Sequence, residues 1–162
     1  MSEKHTISVL VENEFGVLAR VSGMFAARGY NIDSLSVAPT LDPKVSVMTI
    51  LTSGSPEIIE QIIKQLNRLI DVIKVQDLTG GNFITRETVL VKVKLSEKTR
   101  SEIVKVAELF HSELVDANKH FLSFQFTGEK EKVESFLKLL QPFGVLELVR
   151  TGTIALQRAE GS

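Results

Sequence analysis

Residues 6–40 read TISVLVENEFGVLARVSGMFAARGYNIDSLSVAPT, and the spacing of apolar residues changes twice along them. From Thr6 to Asn13 the chain alternates: Ile7, Val9 and Val11 fall on one side, Thr6, Ser8 and Glu12 on the other, with Leu10 adding apolar surface there. A period of two predicts a strand. After Gly16, Leu18, Val21, Ser22 and Phe25 fall at helical spacing, and Arg28-Gly29 supplies a stop, since glycine accepts the left-handed position that ends a helix. Asn31 to Pro39 reads as a strand again, with Leu35 and Val37 on one face.

Downstream, Asp42-Pro43 marks a turn and Val45 to Thr52 a third strand, whose Val45 and Val47 point to a covered second sheet face. Ser55-Pro56-Glu57 has the chemistry of a helix start: a capping hydroxyl, a proline that needs no N–H, and an acid near the positive end of the dipole. Ile58, Ile59, Ile62, Ile63 and Leu66 form the stripe of that helix, and Val72 to Leu78 the fourth strand. After Thr79-Gly80-Gly81-Asn82 the order repeats. The second half has a strand at Thr88–Leu95, a helix capped by Ser96, a hairpin around Asn118-Lys119, a helix ending before Pro142, a strand at Val145–Val149 and a tail from Thr151 to Arg158. Two βαββαβ units predict an α+β chain of two ferredoxin-like sandwiches: residues 1–78, a linker over 79–84, and residues 85–162.

The 162 residues carry a formal charge of −1 and 43% hydrophobic content, which suits packed domains and gives no bulk attraction for nucleic acid. No cysteine is present, so disulfides, thiolate nucleophiles and thiolate metal sites are excluded. The polar lead-in before Thr6 resembles neither a signal peptide nor a membrane span. A cytoplasmic chain is expected, or one inside an organelle if a transit peptide has been removed. His5, His111 and His120 lack metal-site spacing, and the acids are scattered singly. With no P-loop and no G-x-G-x-x-G, neither a catalytic centre nor a metal site is expected.

The most informative local feature is Asn13-Glu14-Phe15-Gly16-Val17-Leu18, where strand becomes helix. Glycine there permits a tight turn and leaves the first helical N–H groups open to a carboxylate, while Asn13 offers an amide to either charged group of an amino acid. The residues equally permit a plain turn glycine and a capping asparagine. Asn31 begins the strand that this fold places at a sheet edge. Side-by-side pairing of two such edges would bring Asn31 of one copy to the Gly16 turn of the other.

These stretches, with VMTI at 47–50, EQIIKQLNRLIDVIKV at 60–75, LVKVK at 90–94 and VRTGTIALQR at 149–158, carry a family resemblance. The first half resembles an ACT domain, and the whole chain resembles the small regulatory subunits of acetohydroxyacid synthase (acetolactate synthase). The resemblance implies a non-catalytic subunit that binds and activates a catalytic subunit and confers feedback by a branched-chain amino acid, usually valine. It implies a homodimer through the ACT domains, with effector contacts on Asn13, Gly16, Val17 and Leu18 of one copy and Asn31 and Ile32 of the other, and Ala38 supporting the same interface. Thiamine diphosphate, magnesium and FAD would belong to the catalytic partner. The second half would supply a contact with that partner.

The chain departs from the family at Val47, where an arginine is usual, and at His111-Ser112, where Arg-Gly is usual. An ACT sensor for a different enzyme is the nearer alternative. RNA recognition is the more distant one, because residues 119–126 place Ser123 where a stacking aromatic belongs and the second half has 12 basic against 11 acidic residues.

Overall fold

The computed structural model describes residues 3–159, which divide into two compact units: one up to Ile84 together with the tail from Thr153, the other from Thr85 to Gly152. In the first unit the order is β1 (Glu3–Glu12), α1 (Val17–Ala27), β2 (Ser34–Pro39), β3 (Val45–Gly54), α2 (Pro56–Arg68) and β4 (Val72–Asp77). The antiparallel sheet runs β2-β3-β1-β4. Alternation in β1 sends Ile7, Val9 and Val11 into the core, where they meet Met48 and Ile50 of β3 and Val21, Phe25, Ile59, Ile62 and Leu66 of the helices. The Ser55 side chain accepts the Ile58 N–H and Pro56 opens α2, as the sequence predicts.

Leu18 departs from expectation. It is 47% exposed, while Val17 is buried with Val21, Met24 and Phe25. The buried stripe therefore starts one residue earlier, and Leu18 lies about 100° around the helix from it. β2 also starts later than predicted, at Ser34, because the residues before it are held largely by side-chain bonds. The Asn31 amide and the Ser53 hydroxyl both donate to the Asp33 carboxylate, and Thr52 donates to the Asn31 carbonyl.

The second unit holds most of β5 (Phe83–Lys94), then α3 (Arg100–Leu109), β6 (Glu113–Ala117), β7 (Phe121–Gly128), α4 (Lys130–Leu140) and β8 (Val145–Arg150). The sheet order β6-β7-β5-β8 repeats that of the first unit, so the two ferredoxin-like sandwiches are present as predicted. Phe110, Phe126 and Phe136 pack ring against ring in its core, with Phe124 also buried. The aromatics that an RNA-binding strand would expose thus serve as core. Ser96 is not the cap of α3: its carbonyl accepts the Thr99 and Arg100 N–H groups, and this extra turn delays the helix to Arg100. His111 takes φ 54°, the left-handed stop of α3.

Residues 153–159 go with the first unit, where the sequence had placed them in the second. A short strand, β9 (Ile154–Gln157), pairs with β5, and the Arg158 N–H bonds the Asn82 carbonyl. Thr153, only 4% exposed, donates its N–H to the Ser34 hydroxyl at 3.1 Å. Ser34 lies opposite Leu51 in the β2–β3 ladder, on the sheet face away from the helices, where Thr49 and Leu51 are buried. The covered second face expected of β3 is present at those two positions, whereas Val45 and Val47 stay partly exposed. No helix among the described residues is long and apolar enough to cross a membrane.

Glu87 is the buried acid of the second unit, and Arg150 clamps it with Nε at 2.9 Å and Nη2 at 2.5 Å while also donating to Glu134 at 2.7 Å. Burial works to lower the Arg150 pKa, but the bonds to Glu134 and Glu87 outweigh it and the net shift is upward. Arg150→Met would strand the carboxylate and should cost about 3–5 kcal/mol, read from the urea midpoint of unfolding. Ser55→Ala should cost only about 1 kcal/mol by losing one cap; an equal loss in the two variants would contradict the account of the clamp.

Candidate functional site

At the β1–α1 junction Gly16 adopts φ 79° and serves as the helix N-cap with no side chain to offer. Its carbonyl accepts the Arg20 N–H at 2.9 Å, which closes the first helical bond. The amides of Leu18 and Ala19, in the turn before that bond, have no carbonyl one turn back to accept them. No acid occupies the first turn to satisfy the positive end of the helix from within. What results is a set of aimed donors suited to a carboxylate.

Asn13 is held beside them. Its backbone N–H bonds the Lys44 carbonyl at 2.7 Å and its side-chain Nδ2 bonds the Pro43 carbonyl at 2.9 Å. That bond orients the amide, and its acceptor Oδ1 suits an ammonium group. Asn13, Glu14 and Phe15 line an open hollow of about 480 Å³.

No local pattern in the sequence points to the device that holds this loop. Arg20, one turn into α1, donates Nε to the Asp71 carboxylate at 2.6 Å and Nη2 to the Phe15 carbonyl at 3.2 Å. Asp71 is buried at the start of β4, and its hydrogen bond raises the Arg20 pKa above the ordinary value. The only sequence signal was a lone acid and a lone base, each inside an otherwise apolar stretch. Glu12, Glu14 and Asp71 place carboxylate oxygens within 4.8 Å of one another, but Arg20 already supplies a cation to that group.

The six predicted contacts do not converge in one chain. Asn13, Gly16, Val17 and Leu18 lie at the start of α1 and Asn31 and Ile32 beyond its end, and an 11-residue helix is about 16 Å long. Val17 is buried, so it can offer only its backbone, whereas the Leu18 side chain is half exposed. Asn31 is exposed and Ile32 packs partly against the core. Within one chain the two groups of residues thus stay apart. Of the histidines, His5 pairs with Asp77 in the first unit, and His111 and His120 lie in the second.

A family profile described as an AHAS small subunit-like ACT domain matches residues 7–74, and one described as the small subunit of acetolactate synthase matches residues 86–159. The chain belongs to the acetolactate synthase small-subunit family. The probable acetolactate synthase small subunit of Archaeoglobus fulgidus is 44% identical over 155 residues, covering 96% of this chain and 97% of the relative. The isozyme 3 small subunit of Salmonella typhimurium is 41% identical over 158 residues, covering 97% of each. The crystal structure of the acetolactate synthase small subunit from Thermotoga maritima superposes with a TM-score of 0.89 at 35% identity, over 97% of this chain and 98% of that one. Within the family frame, the β1–α1 junction and β2 both belong to the ACT half, and the second profile extends through the tail that bonds Ser34.

Gly16→Ala should lower stability by roughly 1–2 kcal/mol from the left-handed backbone alone. Its Cβ would also stand 2.9 Å from Arg20 Nη1 and push the guanidinium. Thermal unfolding measures the loss, and an unchanged midpoint would show that the turn does not need glycine.

Proposed function

We propose that this chain is the regulatory subunit of an acetolactate synthase. It raises the activity of the catalytic subunit and makes that subunit answer to a branched-chain amino acid, with valine the first candidate. The chain itself carries out no catalysis, and thiamine diphosphate, magnesium and FAD reside in the partner. The small subunit works in the compartment of the catalytic chain, the cytoplasm or an organelle interior.

The observation that carries the reading is the uncapped first turn of α1 beside Asn13 Oδ1. A zwitterion would place its carboxylate on the Leu18 and Ala19 amides and its ammonium on the asparagine oxygen. The exposed Leu18 side chain offers apolar contact to a short branched side chain. Closing the site from the other side falls to Asn31 and Ile32 of a second copy, because the chain's own pair lies a helix length away. Two copies paired through their β2 edges complete two equivalent sites by symmetry. Effector binding then biases the arrangement of the pair, and a coupling of about 1–3 kcal/mol is enough for useful feedback.

The test is calorimetric titration of L-valine into the purified chain, with leucine, isoleucine and glycine alongside. It is joined to the rate of acetolactate formation by the catalytic subunit with and without this chain. Leu18→Glu is the sharper variant: an acid in the first turn suits the helix and leaves folding intact, yet repels a carboxylate. Valine affinity should fall at least tenfold in Leu18→Glu and in Asn31→Ala, while activation of the catalytic subunit persists. Saturable valine binding that survives both substitutions would refute the site.

A further inference from the structure

One end of the first unit carries three large apolar side chains that the fold leaves in water. Phe15 is 103% exposed, Leu41 106% and Ile70 92%. They come from three connections that meet where β1 ends: β1–α1, β2–β3 and α2–β4. Hydrogen bonds brace these loops against one another. Asn13 bonds the Lys44 and Pro43 carbonyls, the Glu12 N–H bonds the Asp71 carbonyl, and Arg20 joins Asp71 to the Phe15 carbonyl. A single exposed leucine is ordinary. Three nearly full exposures on mutually braced loops are the pattern of an interaction site, since water disfavours each and the core gains nothing. Beside them the carboxylates of Glu12 and Glu14 are both exposed, and the cation near them, Arg20, makes its salt bridge to Asp71.

We propose that this tip is the docking surface for the catalytic subunit, with Phe15, Leu41 and Ile70 entering apolar sockets and Glu12 and Glu14 meeting basic side chains at the rim. The inference rests on the chain being the regulatory subunit. Charge decides against the other occupants. In a tip-to-tip contact between two copies, the exposed acids Glu12, Glu14 and Asp42 would outnumber the exposed base Lys44, so like charges prevail and repel. An anionic membrane surface would repel them as well. A partner with apolar pockets and a basic rim satisfies both features. The position also has a mechanistic use: Phe15 adjoins Gly16, so a ligand seated on the first-turn amides of α1 acts on the loop that carries an anchor.

The experiment titrates the full-length chain into the catalytic subunit and reads both binding, by biolayer interferometry, and stimulation of acetolactate formation. Phe15→Ser/Leu41→Ser/Ile70→Ser should raise the half-maximal concentration at least tenfold, with an unfolding midpoint no lower than that of wild type because none of the three side chains is packed. Glu12→Lys/Glu14→Lys should weaken binding most at low salt and less as salt rises. Ile58→Ser, at a position 39% exposed at the start of α2 and at the other end of the first unit, should leave the titration unchanged. Wild-type binding by the triple variant, or an equal loss in the Ile58 control, would overturn the docking surface and leave the regulatory reading standing. Failure of the unaltered chain to bind or stimulate the catalytic subunit would instead overturn the regulatory reading, and the docking surface with it.

Discussion

A carboxylate buried without a cation is among the more costly errors a small domain can contain, and Asp71 is a buried carboxylate at the head of a strand. Arg20 answers it from α1 and, with its remaining donor, takes the Phe15 carbonyl. This one pairing fixes the first turn of α1 against β4 and holds the preceding loop in place. The loop can therefore keep Gly16 in a left-handed conformation with no side-chain cap, and the first-turn amides stay open because rigidity comes from elsewhere. The second unit solves the same problem with Glu87 and Arg150, where the arginine reaches back from β8 to β5 and on to α4. In the first unit the arginine joins α1 to the start of β4, and in the second it adds α4 to two strands that the ladder already pairs.

Much of the fold was legible because its signals are local. The alternation of Ile7, Val9 and Val11, the Ser-Pro-Glu start of α2 and the Gly29 stop each act within a few residues, and each appears in the structure as read. Errors arose where two local patterns competed. Leu18 and Val17 are both apolar and one residue apart, and only the position of the Gly16 cap decides which of them faces inward. Ser96 and Thr99 are both plausible caps, and the turn that joins them starts the helix late. What no local pattern could reveal is pairing over long separations: Arg20 with Asp71, 51 residues apart, and Ser34 with Thr153, 119 apart.

The candidate site was legible to the same degree. A turn glycine between strand and helix marks an open helix start, and an asparagine beside it marks a polar partner. The sequence could not say that Asn13 spends its nitrogen on Pro43, which fixes the face it shows to a ligand. Nor could it say that the side chain of Val17 is lost to the core. The separation of Asn31 from Gly16 by the length of α1 is a consequence of topology, and it splits the six residues into two groups at opposite ends of that helix.

The course of the chain through its two units has a further consequence. Residues 85–152 form a unit inserted between Ile84 and Thr153, and the polypeptide returns to finish the first unit. A cut after Asn82 or Ile84 would not release an intact first unit, because Ser34 would lose its bond from Thr153 and the Asn82 carbonyl its bond from Arg158. A faithful isolated module would keep both ends and join Ile84 to Thr153 by a short bridge. For the same reason, a fusion or tag placed at the carboxyl end hangs from the amino-terminal unit, and a proteolytic trim there would loosen the sheet whose edge begins at Ser34.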